Sequence, residues 1–286
     1  MNFDLIAIDL DSTLLSSEGQ VTPRTREAVD RAHRAGVEIV ICTGRRFSSA
    51  MEVLGGVSFA DHIVVNNGVV AKEVATGETV YSSFFPLDGY TTVIRAMKRL
   101  CPDLPALVMV DEYPDYEYCA DVVDGRDTAR GANAYHMEYI DWNPRMLRAV
   151  ETLEALPTER VIQCCIQHEG ERLRAIEGPL AESMRGLAHV FTVRNTKYRG
   201  SSLEVLPEGA SKWRALQFLA ASYNIPAQRI MAIGDDLNDL AMIEGAGLGI
   251  AMANAVEPVR AIADWVTADK DHDGVADAIE RFAFEE

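Results

Sequence analysis

Phe3-Asp4-Leu5-Ile6-Ala7-Ile8-Asp9-Leu10-Asp11-Ser12-Thr13 opens the chain with a short, mostly apolar run that ends on two aspartates two positions apart. An apolar strand closing on a carboxylate is the first half of an α/β unit. The second half follows as a helix signal: Thr22 as N-cap, Pro23 in the first turn and Gly36 beyond the far end. Open α/β sheets place their ligand crevice at the carboxyl ends of the strands, so Asp9 and Asp11 stand where such a fold does its chemistry. A strand continued through both would point their side chains to one face. One carboxylate could then attack or ligate a hard cation while the other exchanges protons.

Working outward, the strand-helix rhythm repeats. Val37–Cys42 is β-forming, 45–54 reads as a helix, His62–Val65 is an apolar strand closing at Asn66-Asn67-Gly68, and 69–83 reads as a hairpin turning at 75–78. Between about 86 and 193 the rhythm changes to a helix (88–100), strands (106–110, 116–120), a helix (143–156), a strand (160–167), a helix (169–185) and a strand (187–193). It then resumes with a strand at 203–206, a helix at 209–223 and further alternation to the C-terminus. The expected fold is α/β: a Rossmann-like parallel-sheet core built from residues 1–83 and 194–286, interrupted by an inserted α+β unit at 84–193 with an antiparallel sheet.

Composition agrees with two cores, because 286 residues exceed what a single one usually organises. Forty-four acidic against 27 basic residues give a net charge of −17, a field that repels nucleic acid and anionic lipid. An anionic small-molecule substrate would therefore need a positive pocket built into its site. Five cysteines, two of them adjacent at Cys164 and Cys165, read as reduced, buried thiols, and no C-x-x-C pair supports a structural zinc. Asp4, Asp9 and Asp11 stand where a signal peptide needs a basic start and an unbroken apolar core, and no apolar run approaches membrane length. The expectation is a cytoplasmic monomer or small homo-oligomer with no membrane partner.

Three more strand ends carry suggestive residues. Thr43-Gly44-Arg45 follows the second core strand and opens a helix, where amides and a hydroxyl can meet an anion. Lys212 lies in the first turn of a helix, a place the helix dipole disfavours for a cation unless it serves an anion or carboxylate nearby. Gly234-Asp235-Asp236-Leu237-Asn238-Asp239 follows the strand at 229–233 and starts another helix. Each element alone has a plain capping explanation. Together they fit one crevice in which Asp9, Asp11 and Asp235 bind a small hard cation, and Thr43, its neighbouring amides and Lys212 line a phosphate site.

With these four motifs in order, the sequence resembles the haloacid dehalogenase-like (HAD) superfamily, specifically its Cof-type phosphatases, whose large cap is inserted after the second motif. The resemblance covers the core, including Asn67-Gly68 and Gly245–Met252, and extends only in size and element pattern to the cap. It implies a phosphatase acting on a small phosphorylated metabolite, with a sugar phosphate the best single substrate. Asp9 would be the nucleophile that forms an aspartyl-phosphate and Asp11 the acid and then base. Mg²⁺ would be held by Asp9, the Asp11 carbonyl and Asp235. Thr43, Gly44, Lys212 and Asn238 would contact phosphate, Asp239 would orient the metal shell or Lys212, and Arg45 and Asn67 would contact substrate near the cap interface. Ser12 and Trp213 stand where the family commonly has glycine.

Two other functions compete: a sugar phosphomutase using the same intermediate, and a non-catalytic metal-binding regulatory protein. The second draws on Asp269-Lys-Asp271-His-Asp273-Gly274 with Glu280, which matches the calcium-loop pattern of an EF-hand. A strand at 265–267, rather than a helix, leads into that loop, so the expectation is a strand-to-helix turn. Met109, Tyr113, Tyr116 and Tyr118 of the insert read as packing residues that could instead face substrate.

Overall fold

In the computed structural model, which describes residues 2–55, 60–123, 126–127, 133–142, 144–194 and 199–284, the opening apolar run forms strand β1 (Leu5–Asp9), buried throughout. The chain continues through α1 (Pro23–Arg34), β2 (Glu38–Cys42), α2 (Phe47–Leu54), β3 (His62–Val65), β4 (Val70–Glu73) and β5 (Thr79–Ser82). The next stretch runs α3 (Leu87–Leu100), β6 (Ala106–Glu112), β7 (Tyr116–Val123), β8 (Arg126–Asp127), α4 (Ala134–Trp142), β9 (Leu147–Val150), β10 (Val161–His168), α5 (Gly170–Ser183), β11 (Ala188–Arg194) and β12 (Ser201–Pro207). The last stretch is α6 (Lys212–Ser222), β13 (Ile230–Gly234), α7 (Leu240–Gly245), β14 (Leu248–Ala251), α8 (Glu257–Ile262), β15 (Trp265–Val266) and α9 (Gly274–Ala283). Contacts divide the chain into Met1–Ser82 with Ala210–Glu286, and Ser83–Gly209.

The first unit holds a sheet of order β15-β14-β13-β1-β2-β3-β4-β5. It is parallel from β15 to β3, with β4 and β5 added antiparallel. Strand β1 sits between β2 and β13, so the chain winds outward from it in both directions. The carboxyl ends of β1 and β13 therefore flank the switch point where such sheets open a crevice. Alternation decides which face each residue serves. Leu5 and Ala7 join Val40, Ala232 and Ala251 in a core covered by α6, α7 and α8, and Asp9, next in that alternation, points to the same side. Ile6 and Ile8 point to the other, and each such fully buried side chain contributes about 1.5–3 kcal/mol.

The second unit has its own sheet, β11-β12-β10-β6-β7-β8, with β9 beside β7. Its strands pair antiparallel except for β7 with β9. Val108, Val110, Cys164, Ile166, Leu203 and Val205 make one face of a core shared with Val93, Ile94 and Met97 of α3 and with Leu173 and Leu180 of α5.

Two expectations change here. The strand expected in the core at 203–206 is β12 of the second sheet, hydrogen-bonded between β10 and β11, so the chain returns to the first unit at Ala210 rather than at 194. Hydrophobic alternation records that a strand is buried, not which strand lies beside it. The helix expected at 143–156 is instead a 3-10 turn at Pro144–Met146 followed by β9, while the helix of this region, α4, precedes it. Leu147–Val150 instead finds a strand partner along β7, a pairing that local helix propensity does not register.

All five cysteines are buried thiols outside any disulfide, as expected, and burial pushes the Cys164 thiol well above its ordinary value. No helix among the described residues is long and apolar enough to cross a membrane.

Candidate active site

The strand does not continue through both aspartates. Asp9 ends β1, and Leu10–Leu14 wind into a single wide turn in which Asp11 is extended and Ser12 is left-handed at φ 64°. The two carboxylates therefore diverge. Asp11 accepts a fork from Arg45, with Nε at 2.8 Å from one oxygen and Nη2 at 2.5 Å from the other. Arg45, expected near bound substrate, is thus committed to Asp11 by two of its nitrogens, while its buried Nη1 makes no hydrogen bond among the described residues.

Asp9 points toward α6, whose first residue is Lys212. The ammonium is completely buried, 2.5 Å from Asp9 Oδ1 and 2.6 Å from Asp239 Oδ1. The placement that the helix dipole disfavours is explained by two carboxylates, which raise the Lys212 pKa against the effect of burial. Asp239 is held from below: its Oδ2 accepts the backbone N–H groups of Asp235 (2.9 Å) and Asp236 (3.1 Å). Only glycine fits at position 234, because a Cβ there would lie 2.6 Å from the Asp239 carboxyl. Gly68 plays a similar part, its left-handed backbone passing so close to Ser211 that an added Cβ would be 2.1 Å from that carbonyl.

Carboxylate oxygens of Asp9, Asp235 and Asp239 lie within 4.8 Å of one another, the only group among the described residues with metal-ligand spacing. Three carboxylates face one ammonium in a largely buried place, an excess of two negative charges. Burial foremost raises Asp9 well above the usual carboxylate range, and burial with the nearby Asp239 charge pushes Asp235 up to about 7. An all-oxygen, doubly negative donor set fits a small divalent cation. Both Asp239 oxygens are already engaged, so Asp9 and Asp235 are the residues that could hold one, with Asp239 orienting Lys212.

The phosphate candidates gather at the neighbouring strand ends. Thr43 is fully buried, its hydroxyl oxygen accepting the Arg45 N–H at 3.0 Å and keeping its own proton to donate. Asn67, left-handed at φ 55°, accepts from Asn238 Nδ2 at 2.9 Å. Gly44 lies against the same Asn67 oxygen, 2.8 Å from where a Cβ would be. Trp213 packs away from these groups, over Gly245 and into the core beneath α6.

Two polar residues here were not legible in the sequence. Thr13 donates to Asp235 Oδ1 at 2.9 Å, and Asn254, in the loop after β14, donates to the Ser12 carbonyl at 2.9 Å. Both lie at strand ends, the one signal that could have found them.

The calcium-like loop is a strand-to-helix turn, entered from β15, and its acids diverge. Asp271 accepts from the Ser17 amide and hydroxyl, Asp273 accepts from Thr22, Asp269 pairs with His272, and Glu280 pairs with Arg24. Asp271, Asp273 and Glu280 tie the N-terminal segment to α9 and the loop before it, while Asp269 stays within that loop. In the second unit, Met109, Tyr116 and Tyr118 are buried as packing residues, Tyr118 edge-on to Tyr139.

The sequence model of the haloacid dehalogenase-like hydrolases matches residues 6–279. The chain is 28% identical to a 5-amino-6-(5-phospho-D-ribitylamino)uracil phosphatase of Bacillus subtilis, with 95% of each chain covered. It is 27% identical to a second protein of that organism, named simply a phosphatase, over 95% of this chain and 97% of the other. Among solved structures, a haloacid dehalogenase-like hydrolase from Bacteroides thetaiotaomicron superposes with a TM-score of 0.77 at 28% identity, covering 98% of this chain and 99% of that one.

Proposed function

The chain belongs to the haloacid dehalogenase-like hydrolases, and from that premise we propose that it is a phosphatase that releases inorganic phosphate from a small phosphorylated metabolite, a sugar or sugar-alcohol phosphate, through an aspartyl-phosphate on Asp9. The carrying observation is the buried Lys212 ammonium set between Asp9 and Asp239, beside Asp235, at the switch point of the sheet. One relative, 28% identical, carries a phosphoribityl substrate in its name, which supports the sugar-alcohol class.

Asp9 attacks phosphorus, forming an O–P bond as the ester P–O bond breaks, and Asp11, released from its fork with Arg45 and protonated, gives its proton to the departing alcohol. Asp11 then takes a proton from water, whose oxygen displaces the Asp9 carboxylate and releases phosphate. Lys212, the Thr43 hydroxyl, the Gly44 amide and Asn238 bind the phosphoryl oxygens, and the Arg45 Nη1 proton is available to the same anion. The buried ammonium supplies the positive pocket that a net charge of −17 makes necessary. Asp9, Asp235 and the Asp11 carbonyl would hold Mg²⁺, which when bound would supply positive charge where the phosphoryl oxygens gain negative charge. Substrate selection belongs to the inserted unit, Ser83–Gly209.

The test is phosphate release from a panel of sugar, sugar-alcohol and nucleotide phosphates, with Mg²⁺ and with chelator. We expect metal-dependent release that Asp9→Asn abolishes, by about 10³-fold or more, while circular dichroism stays native. Substantial turnover in that variant would remove Asp9 as nucleophile.

A further inference from the structure

We infer that Asn254 is a positioning residue of this site, holding the Asp11–Ser12 turn in register with Asp235; the inference rests on the phosphatase reading above. Asn254 lies in the loop between β14 and α8, outside the four motifs that carry the chemistry. Its Oδ1 accepts the Lys270 backbone N–H at 3.1 Å, and because that partner can only donate, the amide is oriented with Nδ2 on the opposite side. There Nδ2 donates to the Ser12 carbonyl at 2.9 Å and reaches Asp235 Oδ2 at 3.5 Å. A single side chain thus joins the turn after β1, the turn after β13 and the loop after β15.

Its own loop is clipped at both sides: Ala253 N–H donates to Ala268, and Val256 N–H donates to the Asp235 carbonyl at 2.9 Å. The loop can therefore act as a fixed post. The turn it braces needs bracing, because Ser12 is a residue with a Cβ held at φ 64°, a conformation that glycine adopts freely and serine does not. Relaxation of Ser12 would swing Asp11, the adjacent residue, away from the atom it must protonate. Asn254 is itself exposed, so water can replace its bonds and its removal should disturb register rather than folding.

The variants are Asn254→Ala, Asn254→Asp and the double change Asn254→Ala with Ser12→Gly, assayed with Mg²⁺ on para-nitrophenyl phosphate. Asn254→Asp keeps the shape and the Lys270 bond but replaces the donor with an oxygen facing two acceptors. We expect both single changes to lower kcat about ten-fold or more with KM within about three-fold. Without metal, each midpoint of thermal unfolding should stay within about 2 °C of wild type. The Mg²⁺ concentration giving half the metal-induced thermal shift should rise about ten-fold in Asn254→Ala. The double variant should recover most of the lost kcat, since glycine holds the turn unaided.

Asn254→Ala with wild-type kcat and a wild-type Mg²⁺ half-shift would overturn the assignment, as would a double variant no better than Asn254→Ala. If wild type itself shows no Mg²⁺-dependent release, the phosphatase reading fails, and the half-shift comparison decides the Asn254 role alone. Equal concentrations would then overturn that role, and a ten-fold rise would support it.

Discussion

Lys212 shows how much one side chain can be asked to do. Its ammonium is fully buried and touches two carboxylates, so the triad is favourable only while every member is present. Replacing Lys212 with Met leaves Asp9 and Asp239 as buried, like-charged neighbours. We expect a loss of about 3–5 kcal/mol in urea unfolding, and partial recovery when Asp239→Asn is added. A Met variant as stable as wild type would mean the carboxylates shed their charge at little cost. At this scale, acids and a lysine at strand ends were readable because such residues are anomalous where they stand. The partner of Asp11 was not readable: Arg45 lies 34 positions away, and its choice of Asp11 over an anion depends on where the turn after β1 aims that carboxylate.

Elements were legible in kind more often than in partnership. The local pattern marks β12 to within two residues at each end but suits either sheet, and that of Leu147–Val150 suits a helix because its pairing with β7 is invisible locally. Burial of β12 also has a titratable consequence. Glu204 lies between Cys165 and Phe191 on neighbouring strands, and burial pushes its carboxyl up to about 7 against hydrogen bonds from Gln163 and Ser202. A carboxyl whose folded pKa is raised binds its proton more tightly folded than unfolded. Its contribution is therefore complete below about pH 4.5, the ordinary glutamate range, and is lost as pH rises through about 7. Glu204→Gln should be more stable than wild type by roughly 2 kcal/mol at pH 8 and nearly equal at pH 4.5. Parallel pH–stability curves for the two proteins would exclude this role.

For the whole molecule, each unit has a hydrophobic core of its own, which accounts for the size of the chain. The second unit is a continuous segment whose sheet, among the described residues, pairs only with itself, so Ser83–Gly209 expressed alone should fold, with a cooperative thermal transition by circular dichroism. A fragment without such a transition would show that its core depends on the rest of the chain.

The sequence by itself determined the α/β alternation, the change of rhythm at the insert and the anomalous placement of Asp9, Lys212, Asp235 and Asp239 at strand ends. Periodicity, strand-end placement and misplaced charge are local properties that need no knowledge of neighbours. Only the tertiary structure decided that Asp11 faces Arg45, that Thr13 and Asn254 brace the aspartates, that β12 belongs to the second sheet and that Asp271, Asp273 and Glu280 serve the N-terminal segment. Each of these depends on which distant groups reach hydrogen-bonding distance, and the geometry of loops and strand pairings sets that distance, not the residues' own propensities.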